Sequence, residues 1–146
     1  MHSVTTSPTL LHLAQVLRWL KAESDEFGTG FYCNRDVIAE CFRDGRACCL
    51  LEGTAVVAFG VYRVIKDESD ILIFEVHPQH RGLGYGVALA KAMFSVISSH
   101  GARTVSVECI PPTSERFWRA RGFADYVDAL EHRGPNAGVR LRKVLT

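Results

Sequence analysis

Val76-His77-Pro78-Gln79-His80-Arg81-Gly82-Leu83-Gly84-Tyr85-Gly86-Val87 is the stretch on which the reading turns. An apolar, β-branched run, Ile71-Leu72-Ile73-Phe74-Glu75-Val76, ends at His77-Pro78, and a long apolar segment begins at Val87. Glycines at alternate positions between them let the backbone curl through conformations closed to residues with a Cβ. Successive main-chain N–H groups then converge near the positive end of the helix that follows, which makes an anion site, and Arg81 adds a fixed cation. The expected ligand carries phosphates.

Three kinds of phosphate loop compete for this stretch. The dinucleotide fingerprint G-x-G-x-x-G, started at Gly82, requires glycine where Val87 stands, and three strands precede the loop where that fold places its first. The P-loop requires a lysine directly after its last glycine, and Val87 again stands there. A purely structural turn accounts for fewer glycines than are present, and for no arginine.

Upstream, Ser7-Pro8 reads as a helix start, with Leu10, Leu13, Leu17 and Leu20 at helical spacing as far as Glu23-Ser24-Asp25. A loop holding Gly28 and Gly30 leads to Asn34, cap of a second helix that buries Ile38, Cys41 and Phe42 and stops at Gly45. Ala47 to Leu51 and Ala55 to Ile65 form a hairpin around Glu52-Gly53-Thr54, and the polar cluster Lys66 to Asp70 turns the chain into the strand from Ile71 to Val76. Downstream, Val87 to His100 is apolar except for Lys91, Ser95 and Ser98, a mostly buried helix closed by Gly101. Thr104 to Ile110 reads as a strand, Ser114 to Arg121 as a helix, and Ala124 to Leu130 and Gly138 to Val144 as two weaker strands. The expectation is an α/β (α+β) fold in one domain over residues 1–146. A mixed, mostly antiparallel sheet of about six to seven strands is flanked by about four helices, with no repeat and no linker.

Composition is that of an ordinary globular protein, 47% hydrophobic and 23% charged. The longest nearly unbroken apolar run, Ala55 to Tyr62, falls far short of a membrane span, and the first residues lack the features of a secretion signal, so the expected location is cytoplasmic. The net charge of +1 conceals a split of −4 up to His80 and +5 from Arg81 onward. A near-neutral total argues against a protein that coats nucleic acid; the split suits one that holds a compact polyanion with its C-terminal half. The five cysteines have no C-x-x-C pair and no histidine at zinc-ligand spacing, so no metal is expected.

The loop resembles the pyrophosphate motif of the GNAT superfamily of acetyl-CoA-dependent N-acetyltransferases, R/Q-x-x-G-x-G/A, here Arg81-Gly82-Leu83-Gly84-Tyr85-Gly86 with the Val-x-Pro lead-in Val76-His77-Pro78. A second block, Phe117-Trp118-Arg119-Ala120-Arg121-Gly122-Phe123, is similar to that family's L/F-Y-x-x-x-G-F segment. The resemblance is strong over Ile71 to Phe123 and implies a GNAT-like fold with acetyl-CoA as co-substrate. It implies that the backbone of Phe74 and Val76 pairs with the pantetheine arm, that Arg81, Gly82, Leu83, Gly84, Tyr85 and Gly86 hold the pyrophosphate, and that Ser114 and Trp118 complete the cofactor site.

Acetyl transfer to a primary amine by direct attack requires a neutral nucleophile, a donor for the tetrahedral oxyanion, and a leaving thiolate. The main-chain N–H of Val76 suits the oxyanion. Three acids are candidates for the base. Glu75 interrupts an apolar strand beside the cofactor arm, Asp70 stands at the mouth of that strand, and Glu108 lies in the strand expected to splay from it. Where the family often has a proton-donating tyrosine this chain has Trp118, and where it often has an asparagine, Pro111. An indole N–H cannot act as a proton acid near neutral pH, and an alkyl thiolate, with a pKa near 8.5, leaves without full protonation. Trp118 is alternatively a core anchor, and water or Tyr126 alternatively takes the donor's place. The acidic residues Glu23, Asp25, Glu26, Asp67, Glu68 and Asp70, expected in or near substrate-side loops, favour a cationic amine acceptor, small or on a protein. Other readings are an acyl-CoA-binding module with little turnover and a toxin that acetylates aminoacyl-tRNA. The toxin would need a docking face from Arg116, Arg119, Arg121, Arg140, Arg142 and Lys143, and nucleic acid is the less expected partner. A homodimer is compatible with all of these.

Overall fold

The computed structural model describes residues 2–109, 113–125 and 139–145. The chain runs β1 (His2–Thr5), α1 (Leu10–Phe27), a 3-10 turn (Phe31–Asn34), α2 (Arg35–Arg43), β2 (Ala47–Glu52), β3 (Ala55–Ile65), β4 (Glu68–Val76) and a second 3-10 turn (Pro78–His80). It continues through α3 (Tyr85–Ser99), β5 (Thr104–Cys109), α4 (Thr113–Ala120), β6 (Ala124–Asp125) and β7 (Val139–Val144). The strands form one seven-stranded sheet in the order β1-β2-β3-β4-β5-β7-β6, antiparallel at every junction but one, β4 against β5. This is the mixed sheet with four helices that the sequence predicts.

Alternation along the strands feeds two cores, one on each face. Cys48 and Leu50 of β2 join Leu89, Met93 and Ile97 of α3 and Trp118 of α4, whereas Ala47 and Cys49 join Leu13, Val16 and Leu20 of α1 and Ile38 and Phe42 of α2. Helix α3 lies so close to the sheet that a Cβ on Gly60 of β3 would come within 2.3 Å of Met93 Sδ. Four of the five cysteines are buried in these cores, and burial pushes the Cys48 and Cys49 thiols up to about 12. They are packing residues held in the neutral form.

Two local expectations are corrected. Helix α1 is capped by Thr9 rather than Ser7: the Thr9 hydroxyl accepts from the His12 N–H while His12 Nδ1 accepts from the Thr9 N–H, so Pro8 stands ahead of the cap. Glu23, Asp25 and Glu26 lie in the last turns of α1, not in a loop, because the helix extends to a left-handed Gly28. The short edge strand β1 has no counterpart in the sequence reading. The expected strand residues 126–130 and Gly138 lie outside the described residues.

Candidate active site

Strand β4 carries an extra residue. Val61 of β3 pairs with Ile73 and Tyr62 with Ile71, so Leu72 is bulged out of the ladder. A bulge reverses the side-chain alternation beyond it. Ile71 therefore packs with the α3 core and Ile73 with the α1 core, after which Phe74 and Val76 turn back to the α3 side. Glu75, paired with Phe59 of the α1 core, is aimed toward α1. Without the bulge Glu75 would fall on the α3 face.

The same point opens the sheet. The parallel ladder of β4 and β5 ends at Ile71 opposite Val107, so among the described residues the β5-facing edge of positions 72–76 has no strand partner. An extended chain can add there as a strand. The opening leads to the glycine loop. Gly82 and Gly84 have φ of +80° and +79°, which favours glycine, and among the described residues a Cβ at either would meet nothing within 4 Å. Gly84 is the N-cap of α3 and among the described residues no side chain caps the helix, so its first amides are open. Gly86 has a different role: a Cβ there would sit 3.2 Å from Phe117 Cε1, so this glycine lets α3 approach α4. Leu83 is an exposed tip. The Tyr85 hydroxyl donates to Glu52 at 2.9 Å. Arg81 folds back over the strand end, its Nε donating to the Val76 carbonyl at 3.1 Å and its Nη2 lying 3.7 Å from Glu75 Oε1.

Glu75 is only 7% exposed, and among the described residues its Oε2 has no partner other than the facing Glu23 carboxyl. Burial, then the charge and hydrogen bonding of the Glu23 carboxyl, push its pKa up to about 8 against the opposing pull of Arg81. Trp19 Nε1 donates to Glu23 at 3.1 Å, and the indole packs on Phe59 and on His77 with ring centroids 5.5 and 5.0 Å away. Burial is the main cause that holds the His77 imidazole below its usual range; its Nδ1 accepts from the Gln79 N–H. The result is a buried carboxyl, poised near neutral pH, beside the open strand edge.

The three acids read from the sequence are not brought together. Asp70 lies in the closed part of the sheet, 3.0 Å from Arg63 and 4.0 Å from Arg140, and Glu108 is exposed on β5 opposite Arg140 of β7. Trp118, 3% exposed, is wedged among Phe74, Phe117 and Phe123 at centroid distances of 4.8–5.2 Å, so it bears on the open strand edge through Phe74. Ser114 is half-buried at the start of α4 and hydrogen-bonds Cys109. Pro111 and Tyr126 lie outside the described residues. Glu23 was missed as an inward-facing group, although Leu13, Val16, Leu20 and Glu23 continue one helical stripe.

The model of the acetyltransferase (GNAT) family matches residues 13–123. The chain belongs to this family. No curated protein matches its sequence. Among solved structures it is similar to PaiA N-acetyltransferase from Thermoplasma acidophilum in complex with coenzyme A, with a TM-score of 0.77, 8% identity and coverage of 99% of both chains. It is similar to a GNAT-family acetyltransferase from Staphylococcus aureus, with a TM-score of 0.78, 11% identity and full coverage of both chains. A third likeness is to N-acetylglutamate synthase from Neisseria gonorrhoeae complexed with coenzyme A and N-acetyl-glutamate (TM-score 0.74, 16% identity), where it covers 100% of this chain but only 35% of the other. At these identities the likeness shows the fold. As a GNAT member the chain is an N-acetyltransferase with acetyl-CoA as co-substrate. The family match covers the bulged strand, the glycine loop and Trp118. No helix among the described residues is long and apolar enough to cross a membrane.

Proposed function

We propose that the chain transfers the acetyl group of acetyl-CoA to a primary amine by direct attack, with Glu75 as general base. The observation that carries this is the buried carboxyl of Glu75, whose Oε2 no donor among the described residues satisfies, at the end of the strand that opens from β5. Residues and ligand fit: the open space over Gly82 and Gly84, the uncapped start of α3 and the free edge of 72–76 suit a pyrophosphate followed by an extended arm. Backbone supplies most of this binding, and Arg81 adds its cation. Coenzyme A supplies the thioester and the leaving thiolate. Glu75, at about 8, takes a proton from an amine near neutral pH, which a solvated carboxyl does poorly. The main-chain N–H of Val76 is the proposed donor to the developing oxyanion. Trp118 shapes the floor under Phe74, and the thiolate, with a pKa near 8.5, leaves without a protein acid. Asp70 is the charge partner of Arg63 and Arg140, and Glu108 faces Arg140 across the ladder.

The paired cations support a small or protein-borne amine over a tRNA. Arg119 is held by Glu115 and Asp125, Arg140 lies by Asp70 and Arg142 by Glu68, so these arginines do not form an unpaired basic face. The test is thiol release from acetyl-CoA across a panel of polyamines, aminoglycosides and peptides with free N-termini. Turnover with one class, lost in Glu75→Gln, is expected; binding of coenzyme A with no turnover on any amine returns the reading to an acyl-CoA-binding module.

A further inference from the structure

Glu23 has more fixed surroundings than a helix-end carboxylate needs. It is half-buried at the end of the inward stripe of α1. The Trp19 indole holds Oε2, and a Cβ on Gly30 would sit 3.1 Å from Oε1, so a side chain at that position would press on the carboxyl. Glu75, more than nine-tenths buried, faces it within hydrogen-bonding reach, and among the described residues no other group satisfies its Oε2. Two ionised carboxylates can only accept, so neither satisfies the other; with one proton between them each completes the other's hydrogen bond. Among the described residues, the other charged or titratable groups around the pair are Arg81, 3.7 Å from Glu75, and His77, with His80 behind it.

We infer that Glu23 is the positioning partner of Glu75: the two carboxyls hold one shared proton at rest, and the acceptor enters as a primary ammonium whose charge takes the place of that proton. This rests on Glu75 being the base. The proton count closes. Entry of the ammonium releases the shared proton to solvent and leaves both carboxylates ionised. Glu75 then takes one N–H proton, leaving a neutral amine. As the C–N bond forms and the C–S bond breaks, a second N–H proton ends on the thiolate, and the proton on Glu75 becomes the shared one again. The site therefore selects amines that bind as ammonium, and a quaternary cation, which has no N–H to hydrogen-bond the pair, is a poor substitute.

The test is a pH titration by NMR of the intact protein carrying 13C at the glutamate carboxyls, in wild type, Glu23→Gln and Glu75→Gln. One resonance with a midpoint near 8 is expected, absent in Glu75→Gln. In Glu23→Gln, whose amide still accepts from Trp19 and now donates to Glu75, the midpoint falls by about one pH unit. Glu23→Asp, shorter but ionisable, restores part of the shift. Propylammonium chloride at pH 7 moves the pair's resonances to their ionised positions, and tetramethylammonium chloride does not. An unmoved midpoint in Glu23→Gln, or equal responses to the two cations, overturns the inference while leaving Glu75 as base. Full acetyl transfer by Glu75→Gln overturns the base assignment instead.

Discussion

Replacing Glu75 with glutamine makes the protein more stable, and by an amount that grows with pH. The carboxyl is pushed up to about 8 when folded, against an ordinary 4.5, so between those values the folded state holds a proton that the unfolded state has lost. Unfolding then releases a proton in reverse of the usual acid case: the unfolded chain binds fewer protons, and stability falls as pH rises through the window. Each pH unit fully inside it costs about 1.4 kcal/mol. Allowing for partial titration at both ends, the wild type loses about 3 kcal/mol from this group between pH 5 and pH 8. The side chain is 7% exposed, so solvent screens little of it. Glutamine has the same shape, does not titrate, and donates to Glu23. Urea denaturation of both proteins at intervals from pH 5 to 8, with a common m value, gives a difference in which titrations away from the carboxyl pair cancel. The expected difference rises by about 3 kcal/mol in favour of Glu75→Gln. A difference that stays flat with pH would refute a buried carboxyl forced to ionise.

Gly84→Trp should remain folded but less stable by about 1–2 kcal/mol, because φ is +79° there, and should lose the rise in Tm that coenzyme A gives the wild type; a retained ligand shift contradicts the phosphate assignment. Gly60→Ala places a methyl 2.3 Å from Met93 Sδ in a packed core and should cost about 1–3 kcal/mol, part of it recovered by Met93→Val in a double-mutant cycle read by urea denaturation. Trp118→Phe should raise the KM for acetyl-CoA by loosening Phe74, and leave the pH profile of kcat without a group near 10; a new limb there means that the indole was displacing an acid.

What the sequence discloses follows from how local each signal is. The glycine loop, the capless start of α3 and the buried face of that helix are written in adjacent residues, and the structure places them as read. The hairpin of β2 and β3 is likewise announced by Gly53 and its β-branched flanks. The bulge at Leu72 has no such mark: Ile-Leu-Ile-Phe is apolar on every phase, and only pairing with β3 decides which residue is extra. The face of Glu75 depends on that choice. Strand β1 is four residues whose strand character comes from pairing with β2, a contact across nearly 50 positions. Glu23 was legible in part, since the α1 stripe runs to it, but a carboxylate at the end of an apolar stripe reads as a helix terminus until Glu75 is seen opposite. Asp70 and Glu108 looked equal to Glu75 because sequence gives no account of the arginines across the ladder.

The central claim, a neutral-range general base at Glu75 in an acetyl-CoA-dependent N-acetyltransferase, is tested most directly by the pH dependence of kcat/KM for thiol release in wild type and Glu75→Gln, using one amine acceptor from the panel. The account predicts a break near 8 in the wild-type profile, where Glu75 loses its proton, that is absent from the Glu75→Gln profile. Two profiles that superimpose across the range would contradict it.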